Sequence, residues 1–176
     1  QWNYAKSEAY EVMGNFDFDI KITDWMTFAS VNSYKFFQKN STSYEDPRSS
    51  GGESVNGRIT EGMRSNNRLY TNQLIRINKA FDKHYINAVA GYEWNEFNSK
   101  NTESMSTGFA PGFEVGTVAA KAEKAISWRS SWAVQSYLSN INYSFDDKYL
   151  AQFSIRRDGA SNFGANKRYG TFFSIS

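Results

Sequence analysis

The sequence predicts an all-β fold, namely an antiparallel segment of a transmembrane β-barrel with about six to seven strands. Three observations predict it. Runs of alternating apolar and polar residues recur along the 176-residue chain, short and long connections alternate strictly between those runs, and aromatic residues border every short connection. Outer-membrane barrels combine short periplasmic turns, long extracellular loops and aromatic girdles, whereas a soluble meander has no reason to place all its short turns at one end.

The alternation of apolar and polar residues defines the strands. Residues 12–22 are the clearest run: one face is apolar and the other carries charge, because successive side chains of a strand point to opposite faces. The predicted strands make three hairpins and the start of a seventh strand, in the order 12–22 with 26–37, 69–79 with 84–95, 137–145 with 149–156, and finally 171–176.

The connections between these strands differ in length. Short turns are predicted near 23–25, 81–84 and 146–148, and long loops over 38–66, 98–134 and 158–170. Alanines and alternating Lys and Glu predict a short helix at 117–126. Six or seven strands cannot close a barrel in a membrane, so either an eighth strand lies within the predicted loops or the segment belongs to a larger wall.

The composition excludes several classes of protein. The mean hydropathy of −0.65 resembles that of a soluble protein, but a barrel strand shows lipid only every second side chain. No apolar stretch reaches the roughly 18 residues of a membrane helix, and the first ten residues do not resemble a secretory signal. The absence of cysteine excludes disulfides and thiol chemistry. A net charge of +2, scattered along the chain, does not indicate a nucleic-acid partner.

The polar phases of the strands supply the first set of candidate residues. Unpaired polar groups are costly to bury in a dry core, so a water-filled lumen suits these phases better. The lumen-facing candidates are Asn15, Asp17, Asp19, Glu93, Asn140, Asn142 and Arg156. The aromatic residues beside the short turns are predicted to form an interfacial belt.

The predicted loops supply the second set, which could contact a ligand or a partner protein. Its members are Phe109, Phe113, Trp128, Trp132, Arg157 and Asp158. The aromatic members either stack against sugars or a partner, or anchor the loops. The run 156–158 either clamps an anionic ligand or ends a strand at the headgroup boundary.

The residues do not indicate an enzyme, a metal site or a cofactor. His84 is the single histidine and lies at a turn, which argues against a catalytic triad or a zinc site. Asp17 and Asp19 offer too few oxygens for calcium. Glu93 and Glu96 differ in strand phase, so they do not flank one bond as the carboxylates of a glycosidase do.

One stretch of the chain resembles a known family. The segment 137–150, followed by 154–164 and 166–170, contains a tyrosine-rich strand, an Asp-Lys-Tyr turn and an Arg-Arg-Asp-Gly loop with a later Phe-Gly. This order resembles the barrel of the SusC/RagA-type TonB-dependent transporters of Bacteroidetes. Alanine stands at Ala160, where that family has serine. The residues at 79–81, His84, 90–93 and 14–15 resemble earlier strands of the same family.

The resemblance implies the following expectations. The chain would be part of a 22-stranded barrel that crosses the outer membrane many times, with residues 1–176 forming a partial barrel domain and the plug and other strands lying outside this chain. A SusD-like surface lipoprotein, the TonB-ExbB-ExbD complex and outer-membrane lipid would be its partners. The cargo would be oligosaccharides, peptides or similar nutrients. A passive porin or structural barrel, and a secreted carbohydrate-binding β-sandwich, remain alternative functions.

Overall fold

The computed structural model describes residues 2–110, 112–164 and 168–176. They form one antiparallel sheet whose seven strands lie side by side in chain order. The strands are β1 (Tyr4–Thr23), β2 (Met26–Glu45), β3 (Arg58–Phe81), β4 (His84–Thr107), β5 (Lys121–Phe145), β6 (Tyr149–Ala160) and β7 (Tyr169–Ile175). The all-β class and the number of strands are therefore confirmed. Among the described residues no helix has the length and apolar character that a membrane span requires.

The long predicted loops are largely wrong, because five of the strands are 20 to 25 residues long. Where the long loops are predicted, only the segments 46–57, 108–120 and 161–168 separate the strands. The parts of the strands next to these three segments are polar on both faces. They therefore show no alternation of apolar and polar residues from which a strand can be predicted. No eighth strand occurs in the described residues.

The helix predicted at 117–126 is also wrong. A single 3-10 turn at Gly116–Val118 is followed by β5, which begins at Lys121. The alternating charges instead join residues of strands: Lys121 pairs with Glu123 at 3.0 Å, and Lys124 pairs with Glu103 of β4 at 2.7 Å. A charge pattern that would support a helix at spacing i to i+4 thus serves strands equally well.

The short turns lie where the alternation predicts them. Asp82, Asp146 and Asp147 have φ values of 51°, 52° and 54°, in the left-handed region that aspartate tolerates because its short side chain can hydrogen-bond locally. The backbone N–H of Asp146 donates to the Lys83 carbonyl at 2.8 Å, and Lys83 Nζ lies 3.1 Å from the Asp146 carboxylate. These contacts join the second and third short turns.

The chain divides into two compact units, the loop unit and the turn unit. The loop unit comprises Gln1–Val12, Phe36–Asn67 and Asn98–Ser130. It contains a small hydrophobic core in which Tyr44, Ile59 and Phe109 are almost completely buried, with Tyr4 and Ala119 packed against them. Burial raises the pKa of the Tyr44 hydroxyl above its ordinary value.

Backbone hydrogen bonds join the two connections of the loop unit. The N–H of Phe109 donates to the Asn56 carbonyl at 2.6 Å, and the N–H of Gly108 donates to the Val55 carbonyl at 3.1 Å. Asn56 and Gly57 have φ values of 54° and 86°, and Gly108 has 84°, a region that glycine and asparagine enter at low cost. The connection 108–120 is therefore held against the connection 46–57.

An ion pair between the buried Asp46 carboxylate and the exposed Arg48 side chain orders the start of the connection 46–57. Asp46 is only 3% exposed and accepts hydrogen bonds from the N–H and Nε of Arg48, both at 2.8 Å, and from its Nη2 at 2.8 Å. The Arg48 side chain is the main reason that the pKa of Asp46 falls to about 2, against an ordinary value of 3.8.

Acid is expected to loosen this connection. Because the folded pKa of Asp46 is lowered, its contribution to stability is complete above about pH 3.8 and is lost as the pH falls through about 2. Hydrogen exchange over 46–57 in the full-length protein, corrected for intrinsic rates, should show protection falling between pH 4 and pH 2. Asp46→Asn should lower the protection and remove most of this pH dependence. A wild-type profile as flat as that of the variant would contradict the assignment.

The turn unit comprises Met13–Lys35, Arg68–Phe97 and Ser131–Ser176. Its described residues bury only one apolar side chain, Ala29, whereas large apolar side chains such as Phe16, Tyr149 and Phe173 are 67% to 74% exposed. A soluble protein rarely leaves a contiguous apolar surface of this kind uncovered. The turn unit is thus a single layer whose apolar side chains do not pack into a core of their own.

Candidate functional site

The register of the last three strands shows that the turn unit has two chemically different faces. Residues directly opposite each other in a ladder lie on the same face. Ile141 of β5 pairs with Phe153 of β6, which pairs with Ile175 of β7. One row away, Asn140 pairs with Ser154, which pairs with Ser174. We call these the apolar face and the polar face.

The membership of the two faces follows the alternation in the sequence. Leu138, Leu150 and Phe172 are exceptions, because they lie on the polar face. The apolar face of these strands contains Tyr137, Ile141, Tyr143, Phe145, Tyr149, Phe153, Ile155, Phe173 and Ile175, and the polar face contains Asn140, Asn142, Gln152, Ser154, Arg156, Asp158 and Ser174. That the polar face lines a lumen stays a prediction.

Amide side chains form a connected row on the polar face near the short turns. Asn142 donates from Nδ2 to the Asn140 Oδ1 at 2.8 Å and to the Asn87 Oδ1 at 3.3 Å. Asn87 in turn donates to Asn78. Two of the predicted polar candidates, Asn140 and Asn142, are therefore brought together with two amides that the sequence analysis did not single out.

Arg156 joins three strands of the polar face. Its Nε donates to Asp158 Oδ1 at 2.7 Å, its Nη2 donates to Ser136 Oγ at 3.1 Å, and Nη2 lies 3.7 Å from Glu93 Oε1. The Tyr70 hydroxyl donates to the other Glu93 oxygen at 3.3 Å. The candidates Glu93, Arg156 and Asp158 thus form one cluster, although the sequence analysis placed Asp158 in a loop.

Arg157 lies on the opposite face from Arg156 and Asp158. It is a residue of β6, not of a loop, and it pairs with Tyr137 and Thr171 of the apolar face. Its guanidinium carbon lies 4.8 Å from the centroid of the Tyr169 ring. The run 156–158 therefore cannot close as a single clamp around one ligand. Asn166 and Lys167, which also belong to the family-like segment, lie outside the described residues.

The two aspartates predicted on β1 have separate partners. Asp17 accepts a hydrogen bond from the backbone N–H of Asn32 at 3.1 Å, and Asp19 forms an ion pair with Arg76 at 3.3 Å. Asn15 is exposed on the same strand. In the described part of the chain, no group of three or more His, Asp or Glu side chains is arranged to hold a metal ion.

The four aromatic candidates have different environments. Phe109 is completely buried against Tyr44, so it offers no ring face to a ligand and is corrected to a core residue. Phe113 is 55% exposed in the connection 108–120. Trp128 and Trp132 belong to β5, not to a loop, because this strand begins at Lys121.

Trp132 belongs to a cluster on the sheet that the sequence analysis missed. Its ring stacks beside that of Phe97, with centroids 5.9 Å apart and planes inclined by 25°. The Arg68 guanidinium carbon lies 5.7 Å from the Trp132 ring centroid, and Arg68 Nε donates to Asn95 Oδ1 at 3.0 Å. The alternation along the strands could have indicated Arg68 and Asn95. Arg68 lies two residues from Tyr70, and Asn95 lies two residues from Glu93, so both side chains are on the polar face.

Aromatic clusters border the apolar face of the turn unit at both ends. Beside the short turns, the His84 ring lies 4.9 Å from both the Phe81 and the Phe145 rings. That this cluster is part of an interfacial belt stays a prediction. A second border, which the sequence analysis missed, contains Tyr92 and Tyr137 with ring centroids 5.3 Å apart. Eight residues of β5 separate the two borders, roughly 26 Å along the strand. In a strand tilted by about 40° from the membrane normal, this length spans about 20 Å along the normal, close to the height of the apolar band of outer-membrane barrels.

Comparison with known proteins agrees with this architecture. No family model matches the chain. The chain is 31% identical over 134 residues to a TonB-dependent receptor of Formosa agariphila, covering 68% of this chain and 12% of the receptor. It is 25% identical over 179 residues to the TonB-dependent receptor SusC of Bacteroides thetaiotaomicron, covering 97% of this chain and 17% of SusC.

A solved structure has the same fold. The RagAB peptide transporter superposes with a TM-score of 0.88 at 21% identity, covering 99% of this chain and 20% of that one. The chain therefore spans less than one fifth of the length of these curated relatives. The two-faced sheet, its aromatic borders and these relatives together lead to one conclusion: the chain belongs to the SusC/RagA-type TonB-dependent transporters of the outer membrane and is a segment of their barrel.

Proposed function

We propose that this segment forms part of the wall of a transporter that imports a large polar nutrient, an oligosaccharide or a peptide, through a lumen lined by the polar face. The observation that carries the proposal is the separation of the two faces in the turn unit. The apolar face leaves Phe153, Phe173 and Ile175 uncovered, and the polar face carries hydrogen-bonded amides and charges. Lipid on one side and water on the other satisfy both faces at once.

The partners of the whole protein follow from the same proposal. A SusD-like lipoprotein would cover the extracellular end, and TonB-ExbB-ExbD would supply energy through parts of the protein outside this chain. The connections 46–57 and 108–120 are the segments that would face the lipoprotein, since they follow β2 and β4, whereas the short turns follow β1, β3 and β5. The peptide cargo named for the RagAB transporter supports peptides as one class of nutrient, and the polar face suits a glycan equally well.

The arrangement of the faces can be tested in the full-length protein by nitroxide labels on single introduced cysteines. This chain contributes no cysteine of its own. Labels at Phe18 and Ile141 should be relaxed by lipid-soluble oxygen, and labels at Asp17 and Asn142 by a water-soluble nickel chelate. Equal accessibility at Ile141 and Asn142 would refute the membrane wall and favour the secreted β-sandwich.

Energy coupling distinguishes the transporter from a passive porin. Uptake of the cargo should stop when TonB is deleted or when a protonophore collapses the proton gradient, because the driving force comes from the inner membrane. Uptake that continues under both conditions would favour the porin. We propose no enzymatic step, since the contacts of Glu93 and Arg156 are an ion pair and hydrogen bonds within the sheet.

A further inference from the structure

Arg68 differs from Arg76 and Arg156, which lie on the same polar face of the turn unit, because the described residues give it no ion pair. Arg76 pairs with Asp19 at 3.3 Å, and Arg156 lies 2.7 Å from Asp158 and 3.7 Å from Glu93. Within the described residues, no carboxylate forms an ion pair with Arg68. The side chain is exposed, and its single described hydrogen bond goes from Nε to the neutral Asn95 amide. Its charge is therefore available to an anion.

The contacts of Arg68 orient its guanidinium. The Nε–H is held by Asn95 Oδ1 at 3.0 Å, and the guanidinium carbon lies 5.7 Å from the Trp132 ring centroid. Both contacts leave the terminal Nη1 and Nη2 groups without a described hydrogen bond. Those two groups form one edge of the planar fork that binds a carboxylate or a sulfate. The geometry is thus that of an oriented donor pair without its acceptor.

Trp132 and Phe97 add a flat apolar surface beside this fork. Their centroids lie 5.9 Å apart and their planes are inclined by only 25°, so the two rings stack as one aromatic pair across β4 and β5. A sugar ring has an apolar face of C–H bonds that packs well on such a surface, and aromatic contacts of this kind contribute beyond the area they bury. Tyr70 and Glu93, on the same face of the sheet, provide a hydroxyl and a carboxylate for sugar hydroxyl groups.

We propose that Arg68, Trp132 and Phe97 form a binding subsite for an acidic sugar unit, with its carboxylate or sulfate on Arg68 and its ring on Trp132. The inference rests on the proposed function, because it places the subsite on the path of the imported nutrient. An extended peptide suits the site less well. An acidic side chain of a peptide brings no sugar-like apolar C–H face to Trp132, and strand addition is closed to it here because the neighbouring strands β3, β4 and β5 pair with one another.

The binding test uses the full-length protein in detergent, measured by titration calorimetry. The probes are tetragalacturonate, its methyl ester, which keeps the rings but removes the charge, and tetraglutamate. Tetragalacturonate should bind best. Arg68→Gln should weaken its binding about tenfold or more, since hydrogen bonds to charged groups are strong. Trp132→Ala should weaken it about fivefold, and Arg68→Lys should recover only part of the affinity because lysine lacks the fork.

Arg76→Gln is the matched control, since Arg76 lies on β3 and on the same face as Arg68 but is already paired with Asp19. It should leave the binding of tetragalacturonate unchanged. Trp132→Phe keeps a ring and guards against a folding defect in the alanine variant. If it restores most of the affinity, the loss in Trp132→Ala is due to stacking.

Three results would overturn the subsite. The methyl ester could bind as tightly as the acid, tetraglutamate could bind better than the sugar, or Arg68→Cys in the full-length protein could resist a charged thiol reagent. The last result would show that another part of the protein covers the site. Each of these results can occur while Ile141 still senses lipid, so loss of the subsite is distinguishable from loss of the transporter proposal.

Discussion

Replacing Phe109 by alanine is expected to release the connections 46–57 and 108–120 from each other, at a cost of about 3–5 kcal/mol to the local stability of the loop unit. Phe109 is completely buried and packs its ring against Tyr44, with centroids 6.4 Å apart. Its own N–H and that of Gly108 donate across to the other connection. The lost ring leaves a cavity between Tyr44 and Ile59 that small movements cannot fill.

Hydrogen exchange in the full-length protein measures this release. The amides of Gly108 and Phe109 should exchange at least about a hundredfold faster in the alanine variant if only 3 kcal/mol is lost. Phe113→Ala is the matched control, because Phe113 lies in the same connection but is 55% exposed. It should leave both amides protected. Equal acceleration in the two variants would show that the small hydrophobic core does not hold the loops.

The contrast between Phe109 and Phe113 shows where sequence reasoning reaches its limit. Both residues lie in the same connection, next to glycines, and both were candidates for ligand contact. Which of them is buried depends on Tyr44 and Ile59, which come from distant β2 and β3. No local pattern contains that information, because burial here is decided by tertiary contacts.

The strands near the short turns could be predicted because their two faces differ in polarity. Ile141 and Asn142 alternate, and the register places them on opposite faces as period two requires. In the outer part of β5, by contrast, Lys121, Glu123 and Lys124 give polar side chains on both phases. Where both faces are polar, alternation disappears, and strand and loop become indistinguishable in the sequence.

The candidate site was partly predictable for a related reason. Strand phase alone places Asn140, Asn142 and Arg156 on one face. Predicting the cluster of Arg68, Phe97 and Trp132 also requires the pairing register of β3, β4 and β5. That register, which is how far each strand is shifted along its neighbour, is not encoded in any single strand. A shift by two residues would keep every phase correct and still separate these three side chains.

Substituting Ile141 by arginine is expected to cost about 2–4 kcal/mol of stability in a bilayer, because a charge at the middle of the lipid-facing band of a barrel is penalised by that amount. Ile141 lies between the aromatic borders, four residues from both Phe145 and Tyr137, and pairs with Phe153 on the apolar face.

Urea unfolding of the full-length protein in phospholipid vesicles measures the loss. Asn142→Arg, one residue away on the polar face, is the matched control and should cost less than about 1 kcal/mol, since water can solvate the new charge in a lumen. A larger cost for Asn142→Arg than for Ile141→Arg would reverse the assignment of the two faces, and with it the direction in which Arg68 and Arg156 point.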